Sequence, residues 1–228
     1  MTNSRWFRPA LICGLLSISS AANAGFILSN PGAPSYVIDA SNDFVSELAS
    51  LGVTSFQTGT SLQLTSSANL TFELWGSEAG YDNILIVGGS VLLNTQGVAR
   101  EVWGNVQTVS HTFGAGTLDL TFCTLNLFQC LTNAANPFAD GLQSIGVWVD
   151  PTDDTVAWLL WDDGGAGPDD NHDDMVIRVK AVSVPEPSSI ALLALSVAGF
   201  GWFVLRQRQQ RRRRTIEVPL GQLSRRFR

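Results

Sequence analysis

The chain has 228 residues and a formal charge of −6, and its charges are unevenly placed. Between Gly25 and Val184 stand three basic residues, Arg100, Arg178 and Lys180, against eighteen acidic ones, a balance of −15. Such a segment repels nucleic acid and anionic lipid, which excludes both as its partners, and it attracts cations; its length suits one domain with a sizeable core.

At the N-terminus, Arg5 and Arg8 precede a short apolar run, Ala10 to Ile18, and Ala22-Asn23-Ala24 has the small-x-small pattern of a signal peptidase site. Residues 1–24 are expected to be a signal peptide, cleaved after Ala24. The apolar run is too short for a stable membrane span. A lipoprotein site at Cys13 is disfavoured, because bulky Ile12 stands where a small residue belongs.

The next segment, 25–183, has the periodicity of strands. Asn42 to Leu51 is the exception: Phe44, Val45, Leu48 and Leu51 fall at helical spacing behind Ser41 or Asn42 as cap. Ser61 to Thr65 and Leu70 to Leu74 alternate apolar and polar, and Ile84 to Val87 is an apolar run ending at Gly88-Gly89. Thr117 to Phe122 alternates again, and Ile145 to Val149, Val156 to Trp161 and Met175 to Val182 complete the set. Glycines and Asn/Asp clusters punctuate these runs at short intervals, the pattern of an antiparallel sandwich. The expected fold is all-β, a jelly-roll-like β-sandwich with one short helix.

Cys123 and Cys130 remain after signal removal, and an even pair in an oxidising compartment reads as one disulfide. It would close a loop whose Leu125, Leu127 and Phe128 look like packing residues. A metal site would need further ligands nearby, and a redox pair is usually spaced as CxxC. Of the tryptophans, Trp75, Trp103, Trp148, Trp158 and Trp161 lie in this segment. Trp158 and Trp161 should face opposite sides of one strand, leaving at least one available for exposure and sugar stacking; burial is the default for most of the five.

The richest chemistry runs from Asp162 to Asp174. Six aspartates and Asn171 fall within 13 residues, interleaved with glycines. Hard oxygen ligands at this density suit Ca²⁺, although the EF-hand spacing is absent. The stretch resembles the aspartate-rich turn before a final strand in exported bacterial β-domains, a D-x-D-x-N-D-hydrophobic pattern associated with calcium. The resemblance puts Asp174 in the last acidic place before Met175-Val176. Asp173 stands where asparagine is commoner, Asn171 where aspartate is, and Asp169 at an upstream acidic position. The implied ligand set is Asp162, Asp163, Asp169, Asn171, Asp173 and Asp174, with Ca²⁺ as cofactor; a merely solvated acidic turn is the alternative. His172 takes a place usually held by an aromatic and is expected to pack rather than bind a transition metal.

For catalysis the inventory is thin. Ser110 and His111 are adjacent on a strand and point apart, and no G-x-S-x-G, H-E-x-x-H or Walker sequence occurs. Glu73 with Glu78 or Glu101 could form a glycosidase pair only if the fold brought them together. The chain is expected not to be an enzyme.

Val184-Pro185-Glu186-Pro187 opens the tail. An uncharged run from Ser188 to Leu205 follows, then Arg206, Arg208 and Arg211 to Arg214. Prolines on both sides of Glu186 forbid a continuous helix there, so 184–189 should be extended and accessible. The uncharged run is about 27 Å as helix at ~1.5 Å per residue, short but viable as a span, here 190–205. The arginines would keep 206–228 cytoplasmic and place everything before Val184 outside. A proline-bracketed glutamate, an apolar span and an arginine block, in this order, resemble the PEP-CTERM sorting signal of Gram-negative bacteria. The extension Thr215 to Arg228 departs from that pattern, since such signals usually stop soon after the basic cluster. The resemblance implies export through the inner membrane and transient anchoring there. Processing by an exosortase at Val184, Pro185, Glu186 and Pro187 would leave the protein at the cell surface or in the extracellular matrix, where polysaccharide is the expected partner. A calcium-dependent carbohydrate-binding module is the alternative function.

Overall fold

The computed structural model describes residues 23–38, 40–78, 80–99, 101–136, 143–164, 171–184 and 187–216, with side chains in the last segment from 193 to 210. The expected signal peptide lies, up to residue 22, outside the described residues. Residues Ala22–Val184 form one compact unit, and the C-terminal helix belongs to another.

The strands of the compact unit are β1 (Phe26–Leu28), β2 (Ser35–Val37), β3 (Ser55–Gln57), β4 (Leu62–Leu64), β5 (Ala68–Ser77), β6 (Asn83–Val87) and β7 (Ser90–Asn94). They continue with β8 (Val102–Phe113), β9 (Gly116–Thr117), β10 (Leu120–Thr124), β11 (Gln129–Thr132), β12 (Ser144–Val149), β13 (Val156–Asp162) and β14 (Met175–Ser183). One short helix, α1 (Val45–Ser50), and a 3₁₀ turn at Asn133–Ala135 interrupt them. Every pairing is antiparallel. One sheet has the order β2-β3-β12-β13-β14-β5-β8; a four-stranded sheet runs β11-β10-β6-β7 and a three-stranded one β1-β4-β9.

Side chains from all three sheets meet in one core. Phe72, Leu74, Ile145, Val147, Leu159, Trp161 and Ile177 of the large sheet face Leu85, Leu93 and Phe122 of the four-stranded sheet and Phe26, Leu62 and Leu64 of the third. Trp161 and Phe122 stack across the layers at 5.1 Å between ring centres. This is the expected antiparallel sandwich. Burial of each such side chain contributes about 1.5–3 kcal/mol.

The large sheet is covered on its outer face as well. Phe44 and Leu48 of the α1 region, with Ile38, Val53 and Phe56, pack on Trp158, Leu160 and Val176. Strand β13 is therefore buried on both sides, which explains why Val156 to Trp161 reads as a continuous apolar run rather than an alternating one. The same cover corrects one expectation. Trp158 and Trp161 do face opposite sides, but they are 2% and 0% exposed, so neither is available for stacking.

Two boundaries also shift. The helix is shorter than Asn42 to Leu51, because Asn42 Oδ1 accepts from Phe44 N and holds the preceding turn outside it. The expected strand Thr117 to Phe122 divides: Thr117 pairs with Gln63 in one sheet, while Leu120 onward pairs with β6 in another.

The C-terminal helix, α2, runs Pro187–Ile216, so residues 187–189 are not extended as expected but form its first turn, where a proline's missing N–H has no intrahelical partner to lose. Leu193, Leu195, Val197, Phe200, Trp202, Phe203 and Leu205 are all exposed on it, an apolar surface on every side rather than along one stripe. Among the described residues no helix is long and apolar enough to cross a membrane. The expected span 190–205 begins on side chains outside the described residues.

Candidate functional site

The turn between β13 and β14 carries the acidic stretch, and its two flanks are buried. Asp162, Asp163, Asp173 and Asp174 are 2%, 1%, 0% and 6% exposed. Strand pairing forces the flanks together: Trp161 sits opposite Met175, so Asp162-Asp163 and Asp173-Asp174 leave the sheet side by side. The Asp163 amide donates to Asp174 Oδ2 at 2.7 Å, and the Gly164 amide to Asp162 Oδ1 at 2.7 Å. Asp169 lies outside the described residues. The Asn171 side chain donates from Nδ2 to Ser41 O, and its backbone carbonyl accepts from Asn42 Nδ2. The Asn171 Nδ2 thus anchors the loop before α1.

Two residues outside the acidic stretch complete the group: Glu78, which the sequence offered only as a glycosidase partner, and Asn83, of which it gave no sign. Glu78 follows β5, and the antiparallel register that sets Gly76 opposite Val176 brings it beside Asp173 and Asp174. Carboxylate oxygens of Glu78, Asp173 and Asp174 lie within 4.8 Å of one another. Asn83, at the start of β6, is fully buried and donates from Nδ2 to Asp163 Oδ2 at 3.1 Å. Its Oδ1 is buried without a hydrogen-bond donor. Burial, then the charges of Asp163, Asp162 and Asp173, push the Asp174 carboxyl up to about 8, against the opposing pull of the Asp163 amide.

His172 packs, as expected. Its ring lies against Phe56 at 4.3 Å, Nε2 meets Ser144 Oγ at 2.7 Å, and Nδ1 is 3.9 Å from Asp162 Oδ2. Gly146 makes room for this: a Cβ there would stand 2.7 Å from Phe56 Cδ2 and 3.3 Å from His172 Cδ2.

On the outer face a second arrangement appears. Trp103 stacks on Trp158 at 6.1 Å and 5°, with Trp75 and Phe44 at 5.7 and 5.2 Å. A cleft of about 320 Å³ opens beside Trp103, lined by Asp43, Phe44, Glu47, Glu101 and Trp103. The Asp43 amide donates to Asp173 Oδ2 at 2.7 Å, so the rim of the cleft is tied to the acidic cluster.

The glycosidase pairings lose Glu73. Its carboxylate accepts from Trp75 Nε1 at 3.0 Å, Arg178 Nε at 2.6 Å and Lys180 Nζ at 3.2 Å. Burial raises its proton affinity, but these hydrogen bonds and the Arg178 charge outweigh it and hold the carboxyl below its ordinary range. Glu73 is a fixed anion under Arg178, whose guanidinium lies 4.3 Å over the Trp75 ring. His111 is exposed on β8, its ring edge-on to Phe113.

Cys123 and Cys130 are directly opposite in the β10–β11 hairpin and form the expected disulfide. The loop it closes does not pack as expected. Leu125 is 36% and Phe128 94% exposed, because the four-residue turn projects beyond the sheet. At the end of the compact unit, Val184 N donates to Ser67 O at 3.3 Å; Pro185 and Glu186 lie outside the described residues.

No curated protein and no solved structure matches this chain. A family model does match its tail: residues 183–209 fit the PEP-CTERM protein-sorting motif, covering the Val184 to Pro187 segment, the apolar run and the first arginines. The chain carries a PEP-CTERM sorting signal and is an exported protein, processed by an exosortase and transiently anchored at the membrane.

Proposed function

We propose that the exported unit is a non-catalytic protein of the cell surface or extracellular matrix in a Gram-negative bacterium, held together by Ca²⁺ at the β13–β14 turn. The convergence of Glu78, Asp173 and Asp174 oxygens within 4.8 Å carries the cation reading. The neighbouring buried Asn83 donates from Nδ2 to Asp163 Oδ2, while its Oδ1 is buried without a donor. Carboxylates and an amide carbonyl are the donor set that Ca²⁺ takes, usually six to eight oxygens. A bound cation would neutralise like charges that burial leaves poorly screened. The non-catalytic reading is supported by Glu73, which is fully engaged with Arg178 and Lys180.

A second reading, a carbohydrate-binding module that depends on the same cation, is favoured by the cleft at Trp103. Its rim residue Asp43 hangs by a backbone hydrogen bond from Asp173, so ordering the acidic cluster would order the cleft.

Thermal melting of the full chain in detergent, with Ca²⁺ and with a chelator, tests the cation. A melting temperature raised by Ca²⁺ in a saturable way, and no longer raised in Asp173→Asn, is the expected outcome. Identical melting in both conditions would reduce the turn to a buried acidic knot without a ligand. Cell fractionation tests the destination: a Glu186→Ala chain is expected to stay in the membrane fraction, while the native chain reaches the surface or the medium. Equal distribution of the two would remove Glu186 from processing.

A further inference from the structure

The cleft beside Trp103 has a composition that selects among sugars. We propose that it binds an amino sugar: the Trp103 indole takes the apolar face of the ring, and Asp43, Glu47 and Glu101 receive its ammonium and hydroxyl groups. The inference rests on the carbohydrate reading above and narrows it to one ligand class.

Three observations support it. The cleft, about 320 Å³, is on the scale of small-ligand sites, roughly 300–1,000 Å³. Its aromatic wall is rigid, because Trp103 is backed by the parallel Trp158 and wedged by Trp75 and Phe44. A fixed, half-buried indole is a stacking platform that loses little entropy when a ring settles on it. The third observation is charge. Among the described residues, every ionisable side chain lining the cleft is a carboxylate: Asp43, Glu47 and Glu101.

That last feature decides the class. A uronic acid or sulfated sugar would meet three like charges. A neutral sugar would gain stacking and hydrogen bonds only. A sugar bearing an ammonium gains charge-assisted hydrogen bonds, about twice as strong as neutral ones, and its cation also favours the face of Trp103. Arg178 is committed to Glu73 and lies over the Trp75 ring.

The test is calorimetric titration of the full chain in detergent, at mildly acidic pH and physiological salt, with three probes: a glucosamine hexamer, its fully N-acetylated counterpart, and hexalysine. Saturable binding of the glucosamine hexamer, about tenfold or more tighter than the acetylated one, is expected. Glu47→Gln and Glu101→Gln should each weaken it about three- to tenfold, and Trp103→Ala should abolish it, while Trp103→Phe retains part. Melting of each variant confirms that it is folded. Equal binding of both hexamers would overturn the amino-sugar inference and leave the carbohydrate reading standing. Hexalysine binding as tight as glucosamine, and lost in the same variants, would replace the sugar site by a general cation surface. No binding of either glycan would end both readings.

Discussion

Replacing Asp174 by asparagine separates a cation site from an inert acidic turn. Asn preserves the shape and can still accept from the Asp163 amide, but it cannot ionise, so folding no longer has to keep a proton on this side chain. Folding lifts the Asp174 carboxyl from its ordinary 3.8 to about 8. The folded state therefore holds a proton that the unfolded chain gives up near pH 4. Stability without a cation must then fall as pH rises between those two values. At pH 7 the difference spans about three pH units, and at ~1.4 kcal/mol per unit the penalty is on the order of 4 kcal/mol. The Asn variant escapes it. In chelator at neutral pH it should melt higher than the native chain, by about 10 °C at ~2–4 °C per kcal/mol for a domain of this size. In Ca²⁺ the order should close or reverse: the native chain gains about 3 kcal/mol at a hundredfold excess over Kd, and the variant gains little. Differential scanning calorimetry across pH 4 to 8, with chelator and with Ca²⁺, reads all of this. A variant that melts below the native chain in chelator would mean that an ionised Asp174 is stabilising where it sits and that no cation is needed to offset it.

Phe122→Ala removes one half of the stack between the two layers and should destabilise the compact unit by about 3–5 kcal/mol, read as a fall in melting temperature with the C-terminal helix unaffected. Joint replacement of Cys123 and Cys130 by alanine opens a short loop, so a loss of about 2 kcal/mol is expected; denaturant titration should match native protein under reducing conditions. Glu73→Gln strands Arg178 between Trp75 and Trp158 and should cost about 2–3 kcal/mol near neutrality. The native Glu73 contribution is present above the ordinary carboxylate range and is lost as pH falls through its depressed folded value, so the variant should lose less stability than the native chain on acidification.

Much of the sandwich was legible because its strands announce themselves locally. The alternation at Leu62 to Leu64 and Leu70 to Leu74, and the apolar runs that became β6, β12, β13 and β14, reflect burial that each residue experiences within its own strand. Strand β8 escaped, since both of its faces are half-exposed at the edge of the sheet and its residues show no period of two. The burial of Trp158 escaped too. It depends on a cover supplied by Phe44 and Leu48, more than a hundred residues earlier, and no pattern within β13 records that. The candidate site divides in the same way. The aspartates flanking the turn are visible as a motif, whereas Glu78 and Asn83 join them only through the register of β5 and β6. The bond from Asn171 Nδ2 to Ser41 O, which ties the turn to the loop before α1, is likewise a contact that spacing alone does not encode.

The position of the acidic turn has a temporal consequence. It links β13 to β14, the pair from which the large sheet extends toward both edges. With Ca²⁺ scarce inside the cell, the proposed site would leave the repulsion among Asp162, Asp163, Asp173 and Asp174 unrelieved, and this central pairing would be the hardest to close. The Cys123–Cys130 hairpin likewise waits for an oxidising compartment. A chain that must be threaded through a translocation channel before the C-terminal signal is read would gain from both delays. Arrival outside the membrane would then supply ion and oxidant together, so that the destination itself completes the fold.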